Sequence, residues 1–246
     1  MELNKIYNMD AFEGLKLIPD KSVDMVLTDP PYGTTRNEWD VPVDFELFWQ
    51  EIKRITKRGA PILMFSQMPF TAKAVMSNPQ MFRYEWIIEK GLATGFLNAR
   101  RMPMKAHENV LVFYDSLPVY NPQKTEGKAY KQKKSGTSDN YGYFKPIKEH
   151  NYPAERFPRD VLHDLWRHPH GKIYHPTQKP VLICEYFVKT YSNEGAIVLD
   201  PFMGSGTTAL AAINTNRQFI GFEKEKEYFD IAQDRINQAM PPLLTI

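Results

Sequence analysis

The stretch Ala196–Glu223, AIVLDPFMGSGTTALAAINTNRQFIGFE, decides how this chain folds. Ala196–Leu199 is a short apolar run that reads as a buried strand. It breaks at Asp200-Pro201 into the turn Phe202-Met203-Gly204-Ser205-Gly206-Thr207-Thr208. A helical segment over Ala209–Asn214 follows, then a strand, Phe219–Phe222, that ends at Glu223. Strand, Gly-rich turn, helix, strand and acid make up the nucleotide-receiving half of a doubly wound sheet. The glycines admit a ligand close to the backbone, the helix start offers N–H groups, and the acid accepts ribose hydroxyls. Glu223 lies 17 residues after Gly206, near the ~20 of that arrangement. A phosphate-binding loop needs Gly-Lys-Ser/Thr, but Thr207 follows Gly206; a dinucleotide fingerprint needs a third glycine where Ala209 stands. A ligand-free turn is the remaining alternative, disfavoured because glycines, aromatic and acid coincide at one strand end.

Working outward, Val23–Thr28 is a strand candidate that stops at Asp29-Pro30-Pro31-Tyr32. Asp44 caps a helix with Phe45, Phe48, Trp49, Ile52 and Ile55 on one face, closed by Gly59. Ile62–Phe65, Tyr84–Ile88 and Val110–Tyr114 are further strand candidates. Thr177 caps a helix through Tyr191, with Pro180 in its first turn and Gly195 beyond its end; a last helix carries Phe229, Ala232 and Ile236 on one face. The alternation predicts an α/β fold with a doubly wound, mostly parallel sheet. Ligands bind outside the carboxyl ends of such strands, so the Gly-rich and Asp-Pro-Pro turns are predicted to face one crevice. The prolines stiffen their turn and present carbonyls without donors, Asp29 adds a carboxylate and Tyr32 a ring. Together they suit a planar molecule with an amino group, although such a turn taken alone is also an ordinary loop.

From about 116 to 173 periodicity vanishes, which predicts a loop-like inserted segment with one short helix near Val161–Arg167. The whole chain carries +2; residues 117–173 hold 11 Lys and Arg against 6 Asp and Glu, leaving the remainder negative. The same segment contains Tyr120, Tyr130, Tyr141, Tyr143, Phe144, Tyr152, Phe157 and Trp166. Basic groups interleaved with rings suit a polyanion bearing bases, and a solvated polar insertion is the plain alternative. The 246 residues, 42% hydrophobic and 24% charged, are globular in composition. No apolar run approaches the ~18 residues of a membrane span, and the amino terminus lacks the pattern of a signal peptide. Cys184 is the one cysteine, which excludes an internal disulfide and a multi-thiolate zinc site. The expectation is a cytoplasmic protein without membrane contact.

DPPY at 29–32 with DPFMGSGTT at 200–208 resembles the amino-group DNA methyltransferases that use S-adenosylmethionine. HPTQKP at 175–180, KIYNMDAFEGLKLIPDKSVDMVLTDPPYG at 5–33 and NARRMPMKAHENVLVF at 98–113 are similar to other blocks of that family. Catalytic motif, variable segment, then cofactor motif is its permuted β arrangement. The resemblance implies a circularly permuted Rossmann-like methyltransferase fold, with 1–115 as catalytic half, 116–173 as variable DNA-recognition insertion and 174–246 as cofactor-binding half. It implies that Asp29 and the Pro30 carbonyl accept the target amino group within the turn completed by Pro31, while Tyr32 stacks on the flipped base. Asp200, Phe202, Gly204, Ser205, Gly206, Thr207 and Thr208 would line the S-adenosylmethionine pocket, which Asp29 borders. Glu223 would hold the ribose, Asp10 and Ala11 would meet the adenine, and His175, Thr177, Gln178 and Lys179 would contact or close over the methionine end. Asp10 and Lys179 also read as solvated charges.

Within the family an opening aspartate favours adenine N6, and serine favours cytosine N4. Carbon-5 methylation needs a thiolate after a proline, whereas Cys184 follows Ile183 in a predicted amphipathic helix. His163, His168, His170 and His175 match no metal-ligand spacing, so no metal is expected. The implied partner is double-stranded DNA, with room for a homodimer and for a cognate restriction endonuclease acting without direct contact, in a bacterial, archaeal or phage-infected cell. Relatives that act on protein amides have Asn where Asp29 stands. A catalytically silent DNA-binding subunit is the alternative from another class, and the intact motifs speak against it. Trp39 reads equally as a base contact or a packing anchor.

Overall fold

A computed structural model describes residues 1–33, 40–134, 137–138, 142–143, 147–166 and 178–240. Trp39, His168, His170, His175 and Thr177 lie outside them. Contacts divide the chain into one unit of Met1–Asn121 with Asp160–Ile246 and another of Pro122–Arg159.

The first unit contains strands β1 (Lys5–Asn8), β2 (Met25–Thr28), β3 (Ile62–Ser66), β4 (Phe82–Thr94), β5 (Lys105–Phe113), β6 (Val161–Leu162), β7 (Ile197–Asp200) and β8 (Gln218–Glu223). Its helices are α1 (Ala11–Lys16), α2 (Phe45–Ile55), α3 (Phe70–Ser77), α4 (Val181–Tyr191), α5 (Thr207–Asn214) and α6 (Lys226–Ala239). The strands form one sheet in the order β1-β8-β7-β2-β3-β5-β4-β6. Among the described residues of this sheet only β5 runs against its neighbours, β3 and β4. β1 pairs in parallel with β8, so the two ends of the chain close one sheet.

Successive strand residues point to opposite faces, and here both faces are buried, which explains the continuous apolar runs. Val26, Ile62, Met64, Leu111 and Phe113 pack with Leu15, Phe48, Trp49, Ile52 and Phe70 of α1, α2 and α3. Met25, Leu27, Leu63, Phe65, Val110 and Val112 pack with Ile183, Cys184 and Phe187 of α4. Ile6 and Phe219 meet Ala209 and Ala212 of α5 and Ala232 and Ile236 of α6. Cys184 is buried in this core, and burial pushes its thiol pKa well up.

Asp44 caps α2 by accepting from the N–H groups of Glu46 and Leu47 at 3.0 and 3.2 Å. Three local expectations need correction. Gly59 does not close α2, which ends at Ile55 with Thr56 extended; Gly59, at φ +74°, instead turns the chain toward β3. α4 begins at Val181 with Pro180 as its extended cap residue, because Pro180 disfavours helical backbone at Lys179. The helix expected near Val161–Arg167 is replaced by β6, where Val161 and Leu162 pair with Ile87 and Ile88 and Asp164 takes a positive φ of 62°. α1 and α3, six and eight residues long, are too short to form without tertiary packing.

The second unit falls inside the stretch expected to be loop-like, and it is a hairpin. Glu155–Arg156 pairs with Thr125–Glu126, Ile147–Tyr152 with Tyr130–Lys134, and Gly142–Tyr143 with Thr137–Ser138, all antiparallel. YKQKK and IKEHNY carry no apolar alternation, so the period that announces a half-buried strand is missing from them. Within this unit Lys124 pairs with Glu155 at 2.7 Å and lies over the Phe157 ring, and the Arg156 guanidinium lies 4.8 Å over Tyr130.

Candidate active site

β1, β8, β7 and β2 are consecutive parallel strands, and each carboxyl end leads into an expected site residue. Asp10 follows β1 and caps α1, accepting from Phe12 N–H at 2.9 Å, with Ala11 buried behind it. Asn8 is level with Glu223 at the end of β8. Asp200 ends β7, and Asp29 follows β2.

The Gly-rich turn is held by its own backbone. Gly206 sits at φ +83° as the residue capping α5, and a side chain there would meet the Ala232 Cβ at 3.0 Å. Gly204, at φ +53°, has nothing within 4 Å of where a Cβ would stand, so its backbone face is open to a ligand. Gly204 and Glu225 each donate an N–H to Glu223, both at 2.8 Å, which fixes that carboxylate at the mouth of the turn. Burial raises the Glu223 pKa, against these bonds. Asp200 accepts from Phe202 N–H at 3.1 Å and from the Thr208 hydroxyl at 2.7 Å. It is 3% exposed, and burial pushes its pKa up to about 7. Asp200 thus braces the turn. The Thr207 hydroxyl is buried with no hydrogen-bond partner among the described residues. Ser205 donates to Gln178 at 3.2 Å and is held from behind by Arg235 of α6. Phe202 packs partly buried against the helical face of β7 and β8.

The Asp29 turn is held from far away. The Tyr32 hydroxyl donates to Asp29 Oδ1 at 2.7 Å, and the Lys179 ammonium contacts Oδ2. The Tyr32 ring stacks on Phe70 of α3, centroids 4.6 Å apart. Pro30 is buried, Pro31 is half-buried, and Gly33 N–H donates to Asp40 at 2.8 Å to end the turn. Lys179 also lies 3.5 Å from Glu108 Oε2 and 5.2 Å from the Phe65 ring centre. Glu108 Oε1 accepts from Gln67 at 2.9 Å and pairs with Lys90, which lies over Trp166. Burial raises the Asp29 pKa, opposed by Lys179. For Lys179, burial pulls its pKa down, and Asp29 with Glu108 outweighs it, so the ammonium is retained. Burial, then Asp29 and Glu108, keep Tyr32 a neutral donor.

Gln67, Phe70, Lys90 and Glu108 were not singled out from the sequence. Three of them carry a readable signal. Glu108 shares strand parity with Val110 and Val112, Lys90 with Trp86 and Ile88, and Gln67 with Phe65, so all three continue the face that α4 covers. Charged residues on a buried face need partners, and here they are one another's. Outside this cluster, His163 pairs with Glu89, both half exposed.

The family model for N6/N4 DNA methylases matches residues 23–234. The type II methyltransferase M.BglII of Bacillus subtilis is 34% identical over 263 residues, covering 94% of this chain and 68% of its own. Among solved structures, the crystal structure of the M1.HpyAVI–SAM complex matches with a TM-score of 0.63 and 26% identity, over 94% of this chain and 98% of that one. The cytosine-N4-specific PvuII DNA methyltransferase reaches a TM-score of 0.67 over 96% of this chain and 90% of its own at 16% identity, a likeness of fold alone.

Proposed function

This chain belongs to the N6/N4 DNA methylase family, and on that premise we propose that it methylates the exocyclic N6 of adenine at a specific site in double-stranded DNA. The observation that carries the proposal is the desolvated Asp29 carboxylate beside a stacked Tyr32, one strand away from a backbone-lined Gly-rich turn. The adenine preference rests on aspartate opening the DPPY tetrapeptide.

S-adenosylmethionine supplies an electrophilic methyl group on a sulfonium. Gly204 and the α5 start form the backbone cradle for it, Glu223 offers lone pairs to ribose hydroxyls, and the unpartnered Thr207 hydroxyl is a further polar contact. The nucleophile is an aromatic amine whose lone pair is drawn into the base. Asp29 and the Pro30 carbonyl accept its two N–H bonds, which favours a tetrahedral nitrogen and stabilises the positive charge that develops there. Tyr32, backed by Phe70, holds the ring face so that amine and methyl meet in line. Extruding the base costs a few kcal/mol, offset by this stacking. In residues 116–173 the Lys and Arg groups supply phosphate contacts and the rings supply base contacts.

The test incubates unmethylated DNA with the protein and isotope-labelled S-adenosylmethionine, and identifies the labelled nucleoside by mass spectrometry. Labelled N6-methyladenine is expected. Labelled N4-methylcytosine would retain the Asp29 chemistry and overturn the base, and bound cofactor with unlabelled DNA would overturn the proposal.

A further inference from the structure

We propose that Glu108 is a positioning residue for methyl transfer: it takes over the Lys179 ammonium when Asp29 receives the target amino group. The proposal rests on the reaction above and adds a residue to it. Both oxygens of Asp29 are engaged, Oδ1 by the Tyr32 hydroxyl and Oδ2 by Lys179. An amino group that donates to this carboxylate competes with a full positive charge for the same lone pairs, and the ammonium weakens Asp29 as an acceptor at the moment the amine becomes cationic.

Glu108 is built to relieve that competition. Its Oε1 is anchored by Gln67 at 2.9 Å and by Lys90, both from neighbouring strands, so the carboxylate cannot swing away. Its Oε2 is buried, accepts no hydrogen bond among the described residues, and faces Lys179 Nζ at 3.5 Å. A buried carboxylate oxygen without a bond is costly, and this one lies just beyond the ~2.7–2.9 Å of a charge-assisted hydrogen bond. Lys179 has three rotatable donors on a flexible stem. A shift of its ammonium by roughly 0.6–0.8 Å, the difference between those distances, completes the bond to Glu108 and loosens the one to Asp29. Two carboxylates and two ammonium groups keep the cluster neutral throughout, so the transfer moves no net charge into the core.

A purely structural Glu108 would tie β3, β4 and β5 together and do nothing more. Glu108→Gln keeps the size and removes the charge; Glu108→Asp keeps the charge on a shorter stem. Single-turnover methyl transfer, S-adenosylmethionine affinity, DNA KM and Tm are measured for both with the wild type. The expected result is a rate lowered roughly 10- to 100-fold in Glu108→Gln, the size of effect that misplacement near a reacting centre produces. Cofactor affinity and DNA KM stay within about twofold, and Glu108→Asp recovers most of the rate. A Glu108→Gln rate equal to that of an active wild type overturns the inference alone. So does a rate loss in both variants that follows a matching loss of Tm and cofactor affinity. A wild type that methylates no DNA overturns the reaction itself, and the inference with it.

Discussion

The Gly-rich turn after β7 and the Asp29 turn after β2 leave adjacent strands, yet they are stabilised in opposite ways. The first is closed by partners within its own motif: Asp200 to Phe202 and Thr208, Gly204 to Glu223. The second depends on Lys179, 150 residues away, and through it on Glu108 of β5, Lys90 of β4 and Gln67 just past β3. The contrast follows from the tasks. A turn that binds with backbone N–H groups needs only the right φ angles. A carboxylate that accepts an amine must be dry to be effective, and a dry carboxylate needs a counter-charge that its own turn cannot supply.

The contrast is broken most severely at Lys179. Lys179→Met leaves the half-buried Asp29 and the buried Glu108 without the ammonium between them, a loss of about 3 kcal/mol in urea unfolding. Burial already raises the Asp29 pKa and Lys179 opposes it, so the acid limb of the rate–pH profile moves to higher pH, because Asp29 then holds its proton further up the scale. An unshifted limb would show that Lys179 does not govern Asp29. Gly206→Ala probes the other turn. At φ +83° with Ala232 3.0 Å away, alanine costs about 1–2 kcal/mol of strain. The turn shifts to relieve that strain and cofactor affinity falls by about tenfold, while single-turnover transfer at saturating cofactor keeps its wild-type rate. Equal losses in both quantities would erase the division between the turns.

An effect on stability rather than on rate is expected at Asp200, whose folded pKa is raised to about 7, against about 4 unfolded. Between those values the folded protein holds a proton that the unfolded chain has released, so stability falls as pH rises through the window and levels off above it. Asp200→Asn has no such proton. Its stability relative to wild type therefore improves as pH rises from about 4.5 to about 7.5, as urea midpoints at several pH values would show.

How far the sequence reveals each turn follows the same division. Asp200, Gly204, Gly206 and Glu223 lie within one strand–turn–helix–strand unit, where spacing alone states their geometry. Asp29 and Lys179 are readable as motif members, but the contact between them depends on the packing of α4 against the sheet. Glu108 and Lys90 sit on β5 and β4 and Gln67 follows β3, three strands joined through antiparallel β5, and parity marks their face without giving the register that brings them together. The hairpin at 125–156 escapes for another reason: the sequences of its strands show no apolar alternation, so their pairing leaves no trace in hydrophobic period. Val161–Leu162 is two residues at a sheet edge, below the length at which any periodicity can be read.

The most direct test of the division between chemistry and binding is single-turnover transfer of labelled methyl to DNA by Asp29→Ala at saturating S-adenosylmethionine. The predicted result is a rate at least about 10²–10³ times lower than wild type, from an enzyme that binds the cofactor with unchanged affinity. A variant that methylates DNA at the wild-type rate would contradict it, and would move the chemistry away from the Asp29 turn.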